Sequence, residues 1–283
     1  MNLLHPIQAL AIEHNTDFDS LLKLYVLEGI ARRSAQLTQA EEVILRGSLL
    51  TRAWTKPHFR QVRDLDFMAI YPFDEKRATD FVHSLCLVNL DDEIQIFPDQ
   101  MKTEVIWEET VSPGVRYLFP VKIADIYLEI QIDMSFNDPL VPPAIWWEYP
   151  GLLNIPTKIH TIRPELALAW KVHGLFEFWD LKAGQWKAKD LYDIYLIWKY
   201  QKLADALFEQ ALFTAFEDRK MPLTLYNRVL NNEFGQSKGS HKGWKKFLKN
   251  TPHPPETENH LQILSQLRTY LDPFFLKGIA EGR

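Results

Sequence analysis

Proline is concentrated in one stretch of the chain, and this limits the folds that the sequence can adopt. Seventeen prolines occur in 283 residues, and six of them lie within residues 139–164. They are Pro139, Pro142, Pro143, Pro150, Pro156 and Pro164. Because proline lacks a backbone N–H and restricts the residue before it, we expect neither a long helix nor a central strand here. We predict that the stretch is a connector between two halves of different structure.

The half before this stretch mixes helical and β-like patterns. Apolar residues at helical spacing predict a helix near 18–34, and Asp74 is the expected N-cap of a second helix that ends at Leu87. Short apolar runs predict strands, and the last two of them are expected to pair as a hairpin. The predicted strands are 42–46, 66–71, 92–97, 103–108, 115–123 and 125–134.

From about residue 163 the pattern is helical throughout. Pro164 suits the first turn of a helix that runs to about Asp180. Further helices are predicted at 189–200, 203–217, 258–270 and 272–280. The sequence therefore indicates an α+β fold, in which a domain with a sheet over residues 1–150 precedes an all-helical domain over residues 151–283.

Composition excludes several classes of protein. A chain that is 46% hydrophobic and 24% charged is neither disordered nor fibrous. The net charge of −5 excludes a protein that holds nucleic acid by general positive charge, so a polyanionic partner needs a local patch. A single cysteine excludes a disulfide framework and a zinc site built of cysteines. Neither a membrane span nor a signal peptide is recognised, and we expect a cytoplasmic protein.

Two aspartates separated by one residue give the clearest indication of chemistry. Asp64 and Asp66 stand at the start of a predicted strand, where residues i and i+2 point to the same face. Such a pair suits Mg²⁺, which proteins bind through one or two carboxylates together with substrate phosphates. Taken alone, Asp-x-Asp is more often a turn or a helix cap than a metal site.

Two further features strengthen the metal interpretation. Gly47 and Ser48 lie at the junction of a predicted strand and a helix, where backbone N–H groups can hold a phosphate. Asp133 ends the last predicted strand, and it completes the site if strands 66–71 and 125–134 are neighbours. Three acids around two cations suit in-line phosphoryl or nucleotidyl displacement.

The residues around these features resemble a known family. Leu-Arg-Gly-Ser at 45–48, followed by Arg-Gln-Val-Arg-Asp-Leu-Asp-Phe at 60–67, resembles the AbiEii/AbiGii toxin-type nucleotidyltransferases of the DNA polymerase β-like superfamily. Val62 stands where that family often has a hydroxyl residue, and the spacer is slightly longer than usual. The resemblance implies a nucleotidyltransferase-fold mixed β-sheet with flanking helices, followed by the helical domain.

The helical half carries two more matches to the same family. Residues 163–171, which end in Ala-Trp-Lys, resemble the family's helix with Ala-x-Lys. Residues 187–194 resemble its Lys/Arg-Asp-x-x-Asp segment. Together the matches run from about residue 42 to residue 198, which is more than half of the chain.

The resemblance implies a role for each matched residue. Asp133 would help to deprotonate the acceptor hydroxyl, and Lys171 would project toward the β- and γ-phosphates. Asp190 would lie at the rim of the site and orient Lys171 or the base. The implied ligands of Mg²⁺ or Mn²⁺ are Asp64, Asp66 and Asp133. The implied nucleotide-binding residues are Arg46, Gly47, Ser48, Lys171 and Lys189.

Structural alternatives remain for the residues of the helical half. A lysine such as Lys171 is more often a solvent-facing residue, although its small and apolar neighbours argue against this. Asp190 is equally well explained as an N-cap or as an acid in the first turn of a helix.

The resemblance implies a magnesium-dependent nucleotidyltransferase whose helical domain completes the nucleotide site. It would move a nucleotide from an NTP to a hydroxyl acceptor, which we expect to be RNA such as tRNA. The implied role is that of a toxin in a toxin–antitoxin or phage-defence system, with a cognate antitoxin as partner. The alternatives are modification of a protein or a small molecule, or a non-catalytic nucleotide-binding scaffold.

One basic stretch stands out from the acidic background. Residues 235–249 hold five lysines and no acidic residue. The interleaved Trp244 and Phe247 suit a stacked base beside a phosphate backbone, so this stretch is the expected RNA contact. The alternative is a solvated loop that leads into a short helix.

Overall fold

The computed structural model describes residues 3–57, 60–110, 112–182, 184–230, 233–251, 254 and 259–283. The chain divides into two compact units. The first unit comprises Met1–Ala53, Gln61–Leu140 and Ala144–Ile162. The second comprises Trp54–Arg60, Val141–Pro143 and Arg163–Arg283. Among the described residues, no helix combines the length and the hydropathy needed to cross a membrane.

The first unit is built on a mixed sheet. Its strands are β1 (Val43–Arg46), β2 (Leu65–Ala69), β3 (Ile94–Ile96), β4 (Lys102–Ile106), β5 (Gly114–Ile123), β6 (Ile126–Ser135), β7 (Ile145–Tyr149) and β8 (Thr157–Thr161). The hydrogen-bonded order is β3-β5-β6-β2-β1-β8-β7, and β4 also pairs with β5. The pairs β2–β6 and β1–β8 are parallel, and the others are antiparallel.

In the part of the chain that the structure describes, four helices accompany the sheet. They are α1 (Leu4–Glu13), α2 (Phe18–Ser34), α3 (Ser48–Trp54) and α4 (Glu75–Leu87). The predicted helices at 18–34 and from Asp74 to Leu87 are confirmed. The Asp74 side chain accepts a hydrogen bond from the Arg77 N–H at 2.9 Å, which satisfies one of the free donors of the first turn.

The β5–β6 hairpin has one buried face and one open face. Val115, Tyr117, Phe119 and Val121 of β5 are buried, whereas the residues between them are half-buried. Because successive strand residues point to opposite faces, this alternation places the half-buried set on the other side of the sheet. The predicted hairpin is confirmed, and its open face carries the residues of the candidate site.

The proline-rich stretch is not the simple connector that the sequence predicted. It contains β7 and β8, and β8 lies inside the sheet between β1 and β7. The expectation was wrong because the prolines flank these five-residue strands and do not interrupt them. Glu28 of α2 holds the stretch in place, since it accepts hydrogen bonds from the Tyr149 hydroxyl at 2.8 Å and from the Leu152 N–H at 2.6 Å. The first unit therefore extends to Ile162.

The second unit is helical. Its helices are α5 (Pro164–Leu181), α6 (Ala188–Tyr200), α7 (Asp205–Asp218), α8 (Tyr226–Val229), α9 (Lys238–Lys249) and α10 (His260–Ala280). Phe176 stacks on Phe275 with ring centroids 5.4 Å apart, and Phe216 meets both rings edge-on. The α+β class with a helical C-terminal half is thus confirmed. The functional division at residue 150 stays a prediction.

The two helices predicted at 258–270 and 272–280 form the single helix α10. The helix continues through Pro273 because Phe274 and Phe275 beside it are buried in the core, which offsets the lost hydrogen bond. Residue 258, where the first of the two was predicted to begin, lies outside the described residues.

Candidate active site

Four charged side chains lie in one row across neighbouring strands. Arg116 of β5 is paired with Asp133 of β6, Asp133 with Asp66 of β2, and Asp66 with Arg46 of β1. Paired residues on adjacent strands point to the same face, and adjacent strands are about 4.8 Å apart. Strands 66–71 and 125–134 are therefore neighbours, which is the condition under which Asp133 was expected to complete the site. Asp64 lies directly before β2. The pKa of Arg116 is raised mainly by its hydrogen bond to Asp133, and the charge of Asp64 adds to this.

The turn that joins β1 to α3 presses against this row. Gly47 has a φ of +83°, and a Cβ added to it would lie 2.0 Å from Oδ2 of Asp66. Only glycine fits such a close approach in a left-handed conformation. Ser48, the first residue of α3, is more than nine-tenths buried, and its Oγ has no hydrogen-bond partner among the described residues. The glycine turn and a carboxylate of the row are thus held together.

Arg46 is fixed by the loop after β6. Its Nη1 lies 2.6 Å from Oδ2 of Asp138 and donates a hydrogen bond to Oγ of Ser135 at 3.0 Å. The Ser135 hydroxyl also donates to Asp138, at 2.9 Å. The sequence assigned Arg46 to the nucleotide but did not single out Asp138, because no pattern places this loop residue beside β1.

Asp133 forms a bidentate ion pair with Arg116. Nε and Nη2 of Arg116 each donate to one oxygen of Asp133 at 2.8 Å, and Gln131 donates to both oxygens at 3.1 Å. The hydrogen bond to Asp133 raises the pKa of Arg116. Sequence reasoning missed Arg116. The observed two-residue turn at residues 124–125 sets the register that places Arg116 opposite Asp133, whereas the predicted strands left only one residue between them.

The donor groups suit a divalent cation, although the carboxylates are not gathered around one point. Among the residues that the structure describes, no group of three or more His, Cys, Asp or Glu side chains could hold a metal ion. Asp133 instead faces the guanidinium of Arg116. Asp64, Asp66 and Asp133 still offer the hard oxygen ligands that Mg²⁺ prefers, two of them on adjacent strands. The carboxylates of the row are thus candidate ligands of a cation, and the glycine turn is a candidate site for phosphate groups.

A second cluster of charges lies within the helical unit. Nζ of Lys171 on α5 is 2.7 Å from Oδ2 of Asp193 on α6, and Nε of Arg60 donates to both oxygens of Asp193 at 3.0 and 3.1 Å. Asp193 is 1% exposed. Burial alone would raise its pKa, but the charges of Lys171 and Arg60 hold that pKa below its ordinary value. Lys171 is thus an ion-paired residue and not a solvent-facing lysine.

Asp190 and Lys189 belong to the first turn of α6. The N-cap is Lys187, so Asp190 is an acid of the first turn and not the cap. Burial raises the pKa of Asp190, and the charges of Lys171 and Lys189 oppose this. Asp193 was not assigned a role from the sequence, although it is the second acid of the quoted Lys-Asp-x-x-Asp segment.

The basic stretch forms the amphipathic helix α9. Ser237 caps it by accepting a hydrogen bond from the Ser240 N–H at 3.0 Å. Its lysines, which are Lys238, Lys242, Lys245, Lys246 and Lys249, are all exposed. Trp244 is only 1% exposed and lies against the rings of Trp186 and Phe247. The prediction that Trp244 stacks on a base was therefore wrong, because the helix turns this side chain into the core.

Comparison with known proteins adds a family and a fold. A family profile described as "Nucleotidyl transferase AbiEii toxin, Type IV TA system" matches residues 30–272. JHP933 from Helicobacter pylori is similar in structure, with a TM-score of 0.53, 15% identity and coverage of 93% of this chain and 95% of that chain. A candidate nucleotidyltransferase from H. pylori is also similar in structure, with a TM-score of 0.53 and 15% identity. The match covers 92% of this chain and 96% of that chain. At this identity the two structures support the fold alone. No curated protein matches the chain significantly.

Proposed function

Because the chain belongs to the AbiEii nucleotidyl transferase toxin family of type IV toxin–antitoxin systems, we propose that it transfers a nucleotide from an NTP to a hydroxyl group of RNA. The family gives the nucleotidyltransferase activity and the toxin role. Our proposal adds four things that the family match does not supply. They are the NTP donor, the metal ion, an RNA acceptor with tRNA as the first candidate, and an action in phage defence. The observation that carries the assignment is the close approach of Gly47 to Asp66, which joins a phosphate-binding turn to a carboxylate row.

The acidic residues have the roles that a metal-dependent transferase requires. Asp64, Asp66 and Asp133 would hold Mg²⁺ or Mn²⁺. The cation would lower the pKa of the attacking hydroxyl and neutralise the leaving pyrophosphate. Asp133 would also accept the proton of that hydroxyl once the acceptor is bound.

The phosphate groups would be bound by uncharged and basic groups together. The backbone N–H groups at Gly47 and Ser48 can donate to phosphate oxygens. The buried Ser48 Oγ, unpartnered among the described residues, supports a polar ligand there. Arg46 adds a fixed positive charge to the same turn. Lys171 would bind the β- and γ-phosphates, with Lys189 and Asp190 beside it on the next helix.

The exposed lysines of α9 support an RNA contact through the phosphate backbone. A protein that neutralises phosphates loses affinity steeply as salt rises, and each lost contact reduces that salt dependence. Lys245→Glu with Lys246→Glu should weaken binding of total tRNA and reduce the salt slope by about two. Lys76→Glu, an exposed lysine on α4 of the first unit, is the matched control and should change neither quantity.

Label transfer tests the proposed reaction. The protein is incubated with each radioactive NTP and total tRNA, with and without Mg²⁺, and the RNA is separated on a gel. We expect metal-dependent labelling of the RNA, which Asp64→Ala abolishes. Labelling of protein or of small molecules from a cell extract would replace RNA as the acceptor. NTP binding without transfer to any acceptor would indicate a scaffold and overturn the proposal.

A further inference from the structure

A tryptophan at the end of β4 has an unusual backbone and an exposed ring. Trp107 follows β4 directly and has a φ of +56°. It is 49% exposed. A bulky residue rarely adopts a positive φ, and such a conformation persists only where the surrounding structure enforces it. Here the N–H and the hydroxyl of Thr110 both donate to the Trp107 carbonyl, at 2.9 and 2.7 Å.

The indole ring of Trp107 packs on the face of the sheet that carries the carboxylates. A Cβ added to Gly114 would lie 2.9 Å from Cε3 of Trp107, so the ring covers this glycine directly. Gly114 and Arg116 are two residues apart on β5 and therefore share a face. Arg116 in turn binds Asp133 on that face. The ring thus lies near the Arg116 end of the charged row, offset from it by two residues along β5.

The order of the strands separates Trp107 from the phosphate-binding turn. The strands lie in the order β5, β6, β2, β1 across the sheet, and the carboxylates are on the two middle strands, β6 and β2. Gly47 follows β1 on one side of them, and Trp107 covers β5 on the other. In an in-line displacement, the attacking and the leaving oxygens lie on opposite sides of the phosphorus atom. If pyrophosphate leaves on the Gly47 side, as the proposed function has it, the attacking hydroxyl arrives over β6 and β5.

We infer that Trp107 binds the RNA acceptor by stacking on an unpaired base next to the attacking hydroxyl. Its indole offers a flat apolar surface to solvent, and aromatic side chains are the usual platforms for unpaired bases. The exposed ring and the enforced backbone are features that core packing alone does not require. Because Trp107 lies on the acceptor side, it contributes to binding of RNA and not of the NTP.

Binding measurements on the whole chain test this assignment. A fluorescein-labelled single-stranded RNA hexamer of mixed sequence and total tRNA are the RNA probes, and a non-hydrolysable NTP is the donor probe. Trp107→Ala should weaken RNA binding between about 5-fold and 150-fold, which is the range for one stacked base. Trp107→Phe should restore most of the affinity, and NTP affinity should stay unchanged in both variants.

Tyr127→Ala is the matched control, because Tyr127 is an exposed aromatic residue on the same face of the hairpin. It lies six residues, or about 20 Å, from Asp133 along β6. The control should bind RNA as the unchanged protein does, and melting curves should show that all variants are folded.

Three results would overturn the assignment: an RNA affinity that Trp107→Ala leaves unchanged, an equal loss of NTP affinity, or no RNA binding by the unchanged protein. The steady-state rates separate this inference from the proposed function. If the reaction is right and the inference wrong, RNA is labelled with an unaltered KM for RNA in Trp107→Ala. If the reaction itself is wrong, the unchanged protein labels no RNA.

Discussion

Replacing Gly47 with alanine should remove most of the transferase activity while leaving the protein folded. The backbone φ of +83° is left-handed, and an alanine there costs about 1–2 kcal/mol. The new Cβ would lie 2.0 Å from Oδ2, 2.6 Å from Cγ and 2.7 Å from Cβ of Asp66. Since contacts below 3.0 Å essentially never occur, Asp66 or the turn must move by about 1 Å.

A displacement of that size has a large kinetic consequence. Misplacing a reacting group by about 1 Å costs on the order of 100-fold in rate, so kcat/KM should fall by at least about that factor. The strain should lower Tm by about 2–8 °C, which follows from about 2–4 °C per kcal/mol for a unit of this size. Label transfer from the preferred NTP and a thermal melt measure the two effects.

The matched control is Gly174→Ala in α5. An added Cβ there meets no heavy atom within 4 Å, and Gly174 has an ordinary helical φ. Removing a glycine from the interior of a helix should stabilise the protein by about 0.5–1 kcal/mol, with unchanged activity. If Gly47→Ala transfers label as fast as Gly174→Ala, the turn does not position Asp66 and the reasoning is refuted.

Three further predictions concern charge and pH. Asp193→Ala leaves the cations of Lys171 and Arg60 without their buried carboxylate partner. Since both cations are about one-fifth exposed, the free energy of unfolding by guanidinium chloride should fall by about 2–3 kcal/mol. A fall of less than about 1 kcal/mol would contradict a stabilising ion pair. Burial lowers the pKa of His260 in the folded protein, so below about pH 6.5 the unfolded chain binds a proton at this residue more readily than the folded chain does. Tm should therefore fall as the pH is lowered from about 7.5 to about 5.5, and it should fall less steeply in His260→Gln. The same dependence of Tm on pH in both proteins would argue against this. Arg116→Gln removes the cationic partner of Asp133 and leaves its carboxylate available to Mg²⁺. Added Mg²⁺ should therefore raise Tm more in this variant than in the unchanged protein. An equal rise in both would count against metal binding at Asp133.

Local patterns in the sequence were enough for much of the sheet and its site. The period of two in the β5–β6 hairpin predicted both strands, whereas their register depends on the two-residue turn at residues 124–125, which the predicted bounds did not include. Asp74 predicted the start of α4 because its side chain satisfies a local donor. The adjacency of Asp66 and Asp133 was only a condition of the site prediction, because no local pattern shows that β2 pairs with β6.

Features set by tertiary packing were not predictable in the same way. The prolines of residues 139–164 mark the ends of β7 and β8, but only pairing with β1 and contact with Glu28 show that the intervening residues are strands. The burial of Trp244 depends on rings that are distant in sequence, Trp186 in the connection before α6 and His260 of α10. The partner of Arg46 lies 92 residues away, so no local pattern could identify it.

The rate of label transfer in Asp66→Asn compared with Asp80→Asn tests the central assignment most directly. Asp80 is an exposed aspartate of α4 in the same unit, paired only across its own helix surface with Lys76 in the contacts described. Metal-dependent stabilisation of the transition state amounts to several kcal/mol, so Asp66→Asn should transfer label at least about 100-fold more slowly than Asp80→Asn. Equal rates in the two variants, with RNA labelled in both, would contradict a catalytic site at the carboxylate row.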